Sequence, residues 1–204
     1  MRIIGITHSS RRVAPDAPLV GTANNVPLNR PFNSGRADVT FSAPVYSGGL
    51  PITSYVVTSS PAGGSGTGPS SPVSVTGLVG GTNYTFSVQA VNAIGSGSAS
   101  SASNSVTATT VPDVVTSVSA TAGNGQATIS FVANGTGGSA INDFTVTSSP
   151  AGSPNPQTAT GSPYVFTGLN NGTPYTFTVV ANNTNGSSAT SAASNQVTPS
   201  VPAP

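Results

Sequence analysis

The chain has 204 residues, of which 35% are hydrophobic, only 4% are charged and none is cysteine, whereas an average soluble domain is about 25% charged. That composition excludes a disulfide framework, a thiolate nucleophile and any cysteine-held zinc or iron–sulfur centre. All five basic residues are arginines and all four acidic ones aspartates; the first 36 residues hold the five arginines and one aspartate, so a basic N-terminal region precedes a nearly uncharged body that is not built to bind nucleic acid along its length.

The first segment, residues 1–14, combines Ile3, Ile4 and Ile6 with Arg2, Arg11 and Arg12. It lacks the continuous apolar stretch of about 7–15 residues that a secretory signal needs. No run in the chain approaches the roughly 20 apolar residues of a membrane-crossing helix, so membrane insertion is not expected. The alternation of small, apolar and basic residues suits an extended arm that adds a strand to the sheet edge of a partner, with the arginines finding carboxylates there.

From residue 15 onward apolar residues alternate instead of recurring at helical spacing, which predicts half-buried strands. In chain order they are Val39–Phe41, Ser54–Thr58, Val73–Val75 and the run from Tyr84 to Val91, then Ala127–Phe131, Asp143–Thr147, Tyr164–Phe166 and the run from Tyr175 to Ala181. Gly48-Gly49, Gly80-Gly81, Gly137-Gly138 and Asn171-Gly172 lie between them as turns. The stretch Gly63–Gly68 lacks the lysine and helix of a phosphate-binding loop and reads as a flexible hairpin loop. Asn-x-Ser/Thr triplets such as Asn83–Thr85 and Asn171–Thr173 read as turn chemistry.

These elements form two copies of one unit. Thr58–Gly63 recurs identically as Thr147–Gly152, Thr76–Leu78 returns as Thr167–Leu169, and Gly81–Phe86 returns with one change as Gly172–Phe177. Aromatics correspond pairwise as Phe41 with Phe131, Tyr55 with Phe144, Tyr84 with Tyr175 and Phe86 with Phe177, which a disordered polar tract would not require. The predicted organisation is an arm at 1–14, a first domain at 15–110, a second at 111–200 and a short tail at 201–204. Copy one carries about seven extra residues between its first two strands, in a loop at about 24–36 that holds Arg30 and Arg36. Those two arginines are candidates to extend the contact surface of the arm.

The string Gly-Leu-x-x-Gly-Thr-x-Tyr-x-Phe-x-Val-x-Ala-x-Asn, present from Gly77 to Asn92 and again from Gly168 to Asn183, resembles the fibronectin type III domain. The likeness is to the charge-poor, Gly/Ser/Thr-rich version of bacterial surface proteins and phage structural proteins. It implies an all-β chain of two tandem immunoglobulin-like sandwiches behind an extended N-terminal arm. It also implies that Tyr84 and Tyr175 make a corner in which the hydroxyl bonds nearby backbone, and that Phe41 and Phe131 stand where the family usually has tryptophan. The Arg-Gly-Asp tripeptide of the family is absent.

Function must be read from a site, not from the fold. A lone His8 and scattered aspartates give no triad and no histidine-rich metal cluster, so the expectation is a non-enzymatic protein without cofactor or metal. The leading reading is a phage virion accessory protein, a head decoration or a neck, tail or fibre appendage. It would be present in many copies, docked on other virion structural proteins through Arg2, Ile3, Ile4, Ile6, Arg11, Arg12, Arg30 and Arg36. Host cell-surface glycans are a further expected partner of the displayed modules; the alternative is a spacer or glycan-binding module of a secreted bacterial enzyme or surface protein, with Tyr46 or Phe32 stacking on sugars in the glycan-binding case. Edge strands without lysine or glutamate lack the usual charged guards, which predicts edge-to-edge association.

Overall fold

A computed structural model describes residues 11–202. Its strands are β1 (Leu19–Asn25), β2 (Gly35–Ser42), β3 (Ile52–Ser60), β4 (Ser65–Gly68), β5 (Val73–Leu78), β6 (Asn83–Asn92), β7 (Gly95–Ser96) and β8 (Val106–Thr107) in the first repeat. The second repeat has β9 (Thr116–Ala122), β10 (Gln126–Val132), β11 (Ile141–Ser149), β12 (Gln157–Ala159), β13 (Tyr164–Thr167), β14 (Thr176–Asn183) and β15 (Gly186–Ser187). Among the described residues there is no helix, and the fold is all-β as expected. Every strand anticipated from alternation is present, because alternation places one set of side chains inward: Ala37, Val39 and Phe41 from β2, and Tyr84, Phe86, Val88 and Ala90 from β6, are all buried.

Contacts divide the chain into two compact units. The first holds the chain up to Asn25, Arg36–Gly77 and Asn83–Val106; the second holds Val26–Gly35, Leu78–Thr82 and everything from Thr107 onward.

In the first repeat the strands run in the order β1-β2-β5-β4-β3-β6-β7. Phe41 occupies the core position expected for it, its ring 4.5 Å from that of Tyr55. Ser65 to Gly68, read from sequence as flexible loop, is instead the strand β4, paired with β3 along its length and with β5 at Ser65 and Thr76. Alternation cannot reveal such a strand, since its side chains do no packing. Its composition has a steric cause: a Cβ on Gly66 would overlap the carbonyl oxygen of Ser74, so only glycine lets the two backbones meet.

The second repeat solves the same seam differently. Here β12-β11-β14-β15 and β13-β10-β9 are separate sheets. Gln157, the counterpart of Gly66 in register, is buried and reaches across with its side-chain amide. Its Nε2 donates to the Thr167 carbonyl at 2.8 Å and to that of Pro154 at 3.0 Å, while its Oε1 accepts from the Thr167 N–H at 3.3 Å and from the Tyr164 hydroxyl at 3.0 Å. A side-chain amide thus substitutes for the peptide group of a missing ladder. The core behind it holds Phe131 beside Phe144, with ring centroids 4.8 Å apart, and Phe166 beside Phe177 at 5.2 Å. Tyr175 makes the expected corner, its hydroxyl accepting from Asn170 N–H at 3.1 Å.

The segments after β7 and β15 are serine ladders. Ser188, Ser191 and Ser194 each donate a backbone N–H to a carbonyl of β14, of Ala181, Val179 and Phe177 in turn. Each also accepts with its Oγ the N–H of that same residue, at 3.0, 2.9 and 3.0 Å. Ser100 and Ser103 do the same to Val88 and Phe86 of β6. Three residues of the segment therefore face two of the strand. Two strand residues rise only about 6.6 Å, so the segment is contracted to about 2.2 Å per residue, a train of bulges in place of a strand. Replacing Ser191 by alanine leaves the buried Val179 N–H without an acceptor. This is expected to cost about 1–2 kcal/mol and to raise the hydrogen-exchange rate of that amide selectively; an unchanged rate would refute the ladder.

Edge association, expected from the missing charges, meets a further obstacle in these segments. The Asn104 amide pairs with both the N–H and the C=O of Ala23 in β1, and Asn195 does the same to Ala120 in β9. Backbone groups that would template a foreign strand are taken by side chains at those points.

Candidate partner-docking surface

Arg2, Ile3, Ile4 and Ile6 lie outside the described residues. Arg11 and Arg12 are exposed, and the chain is tied to the first unit directly after them: Val13 N–H donates to Gly48 C=O at 3.0 Å and Asp16 N–H to Tyr46 C=O at 3.0 Å. Trypsin is expected to cut after Arg12 and leave a single fragment beginning at Val13, read by intact-mass spectrometry; no arginine or lysine follows Arg36, and a fragment beginning at Ala37 would show an opened β2.

The two arginines of the insertion fall in different units. Arg36 is half-buried and engaged by Asp38 two residues along the same face of β2, with Nε to Oδ1 at 2.9 Å and Nη2 to Oδ2 at 3.0 Å, while Ser74 Oγ donates to Asp38 Oδ1 at 2.7 Å. The Arg30 guanidinium has no partner among the described residues; what that residue contributes is its carbonyl, which accepts from Val111 N–H at 3.0 Å.

The N-terminal pole of the first unit, built from the β2–β3 loop and the β6–β7 turn, is organised by Asn92. This buried amide donates to Val13 C=O at 2.8 Å and Ser47 C=O at 2.9 Å and accepts from Ile94 N–H at 2.9 Å. Asn183 repeats the arrangement in the second unit, donating to Thr110 C=O at 2.9 Å and Thr136 C=O at 3.0 Å and accepting from Asn185 N–H at 2.8 Å. Thr110 N–H to Gly137 C=O and Asp113 N–H to Gly135 C=O, both 2.8 Å, match the bonds of Val13 and Asp16.

In the second unit that frame is covered by Val26–Gly35. Asn29 N–H donates to Asn185 C=O at 2.8 Å, the Arg30 carbonyl takes Val111 N–H, and the Phe32 ring lies so close over Gly135 that a Cβ there would overlap it. Asn185 and Val111 are consequently only 6% and 8% exposed. Phe32, half-buried against Gly135, is therefore not the exposed aromatic that sequence suggested, whereas Tyr46 is, at 45%. Removing the Phe32 ring by alanine substitution is expected to destabilise the second unit by about 2 kcal/mol, measured by urea denaturation; a loss below about 0.5 kcal/mol would show that the loop does not pack there.

Sequence reasoning noted Asn92 and Asn183 only as the end of a string, and missed what they hold. Their recurrence at the end of a strand otherwise alternating apolar residues inward is the signal, since an inward amide needs several partners. Among the described residues no three metal-ligating side chains cluster, no pocket is enclosed, and no helix is long and apolar enough to cross a membrane.

The model of the fibronectin type III domain matches residues 23–106 and again 113–197. No curated protein matches the chain. Among solved structures, the crystal structure of the chicken CNTN1 FN1–FN3 domains is similar at 18% identity and a TM-score of 0.49, over 90% of this chain and 67% of that one.

Proposed function

The chain belongs to the fibronectin type III family, as two tandem domains typical of adhesive and structural modules, and from that premise we propose that it is a non-catalytic accessory protein of a phage particle. It docks on head, neck or tail proteins through its basic N-terminal region, in many copies, and displays its two modules. The observation that carries this reading is the charge distribution: Arg11 and Arg12 are exposed immediately before the point where the chain is tied down, and no other described segment places two exposed cations side by side. Multivalent display would amplify weak contacts of the modules with host cell-surface glycans. The charge-poor, serine- and threonine-rich surface supports the likeness to particle and surface proteins.

Density-gradient fractionation of lysate from the native source, probed by mass spectrometry, tests the proposal. Co-migration with a particle of megadalton size is expected, and recovery only in light soluble or envelope fractions would overturn it. Exposure of Tyr46 favours a second reading, a glycan-binding module of a bacterial surface or secreted protein. Its signature would be glycan-array binding that Tyr46→Ala abolishes.

A further inference from the structure

The two poles share one hydrogen-bonded frame, yet among the described residues only the second is covered. By the repeat, Ala14, Ile94 and Tyr46 are the counterparts of Val111, Asn185 and Gly135. In the second unit Val111 and Asn185 are buried and bonded to two consecutive residues of a loop, which offers the N–H of Asn29 and the C=O of Arg30, and Gly135 lies under the Phe32 ring of the same loop. In the first unit neither the Ala14 N–H nor the Ile94 C=O has a partner among the described residues. At two of the three positions the uncovered pole carries the larger apolar group: Ile94, 55% exposed, stands where Asn185 is buried, and Tyr46, 45% exposed, stands where Gly135 is, with Val45 fully exposed nearby. That inverts what exposure alone would select. Arg11 and Arg12 flank the pole, with Asp16 as the one acid in the same segment.

We propose that this pole is a docking site for a loop of a partner protein. The loop presents the N–H and the C=O of consecutive residues, an apolar side chain beside them, and a carboxylate. The N–H goes to Ile94 C=O, the C=O takes Ala14 N–H, the apolar side chain covers Tyr46 and Ile94, and the carboxylate faces Arg11 and Arg12. The net positive charge at the pole disfavours a second copy meeting it pole to pole and favours the acidic loop. The inference holds whether or not the partner belongs to a phage particle, so its test is separate from the gradient experiment.

The probe is a synthetic peptide of the Val26–Gly35 sequence with Arg30 replaced by glutamate, titrated to millimolar concentration into the isotope-labelled full chain. Amide shifts are expected at Ala14, Ile94 and Gly95, with the unsubstituted peptide binding several-fold more weakly. Ala14→Pro deletes the donor while keeping the bonds of Val13 and Asp16, and is expected to weaken binding about tenfold. Ile94→Asn, which leaves the backbone intact, should weaken it several-fold and decides the matter if the proline variant is misfolded. Absence of shifts at the pole, shifts that survive both variants, or shifts centred instead on Val111 and Asn185 would each overturn the proposal.

Discussion

Replacing Asn183 by leucine is expected to destabilise the second unit by about 3 kcal/mol or more. The Asn183 amide satisfies the carbonyls of Thr110 and Thr136 and the N–H of Asn185, and its Nδ2 also lies 3.4 Å from the Ser139 carbonyl. Leucine matches asparagine in size but leaves these groups facing an apolar surface, and each unsatisfied buried group costs about 1–3 kcal/mol. Asn185 Nδ2, which also donates to Thr110 C=O at 2.9 Å, recovers only part of that loss. The slowest-exchanging amides of β10 and β14 report the free energy. A loss below about 1 kcal/mol would mean that the frame is not held by this side chain. Asn92→Leu should act in the same way on the first unit, with Val13 released from the pole.

The seam between the two sheets yields the second large effect. Valine at position 66 places a Cβ inside the Ser74 carbonyl and crowds Val73, so β4 must leave β5. The expected loss is about 3 kcal/mol, of the size seen for overpacked sites, with loss of exchange protection confined to β4 and its partners. In the second unit the mirror experiment is Gln157→Ala. It deletes an amide that bonds Thr167 twice and Pro154 and Tyr164 once each, for an expected cost of about 2–3 kcal/mol. Exchanging the two solutions should not work in either direction. Glutamine at 66 has no room, and glycine at 157 has no means to cross. Wild-type stability in either exchanged variant would refute the assignment.

Much of this fold is written in alternation and repetition. Phe41, Tyr55, Phe86 and their partners Phe131, Phe144 and Phe177 are legible because each sits inward on a strand and recurs in the other copy. The elements that escape are those whose sequence is set by something other than an apolar face. β4 is composed of serine, threonine and glycine because backbone meets backbone there, a constraint that leaves no hydrophobic trace. The serine ladders have a period of three, between the two of a strand and the 3.6 of a helix, and a search for either passes over them.

The candidate docking residues show the same division. The insertion is visible as a change of offset between the copies, and its two arginines draw attention as charges in an uncharged chain. Yet Arg36 is committed to Asp38, and Arg30 acts through its carbonyl on Val111. Main-chain contacts are almost independent of residue type, so no reading of side chains could have located where the loop goes.

The three-against-two step of the serine segments governs how these modules can change in length. An ordinary pair of strands grows by equal additions on both sides. Here an extension that keeps every bond must add two residues to β14 and three to the segment that follows, with serine at one fixed place in the three. Single-residue insertions in that segment shift every later serine off its partner. Between the serines, Ala189-Thr190 and Ala192-Ala193 are free to vary in identity but not in number.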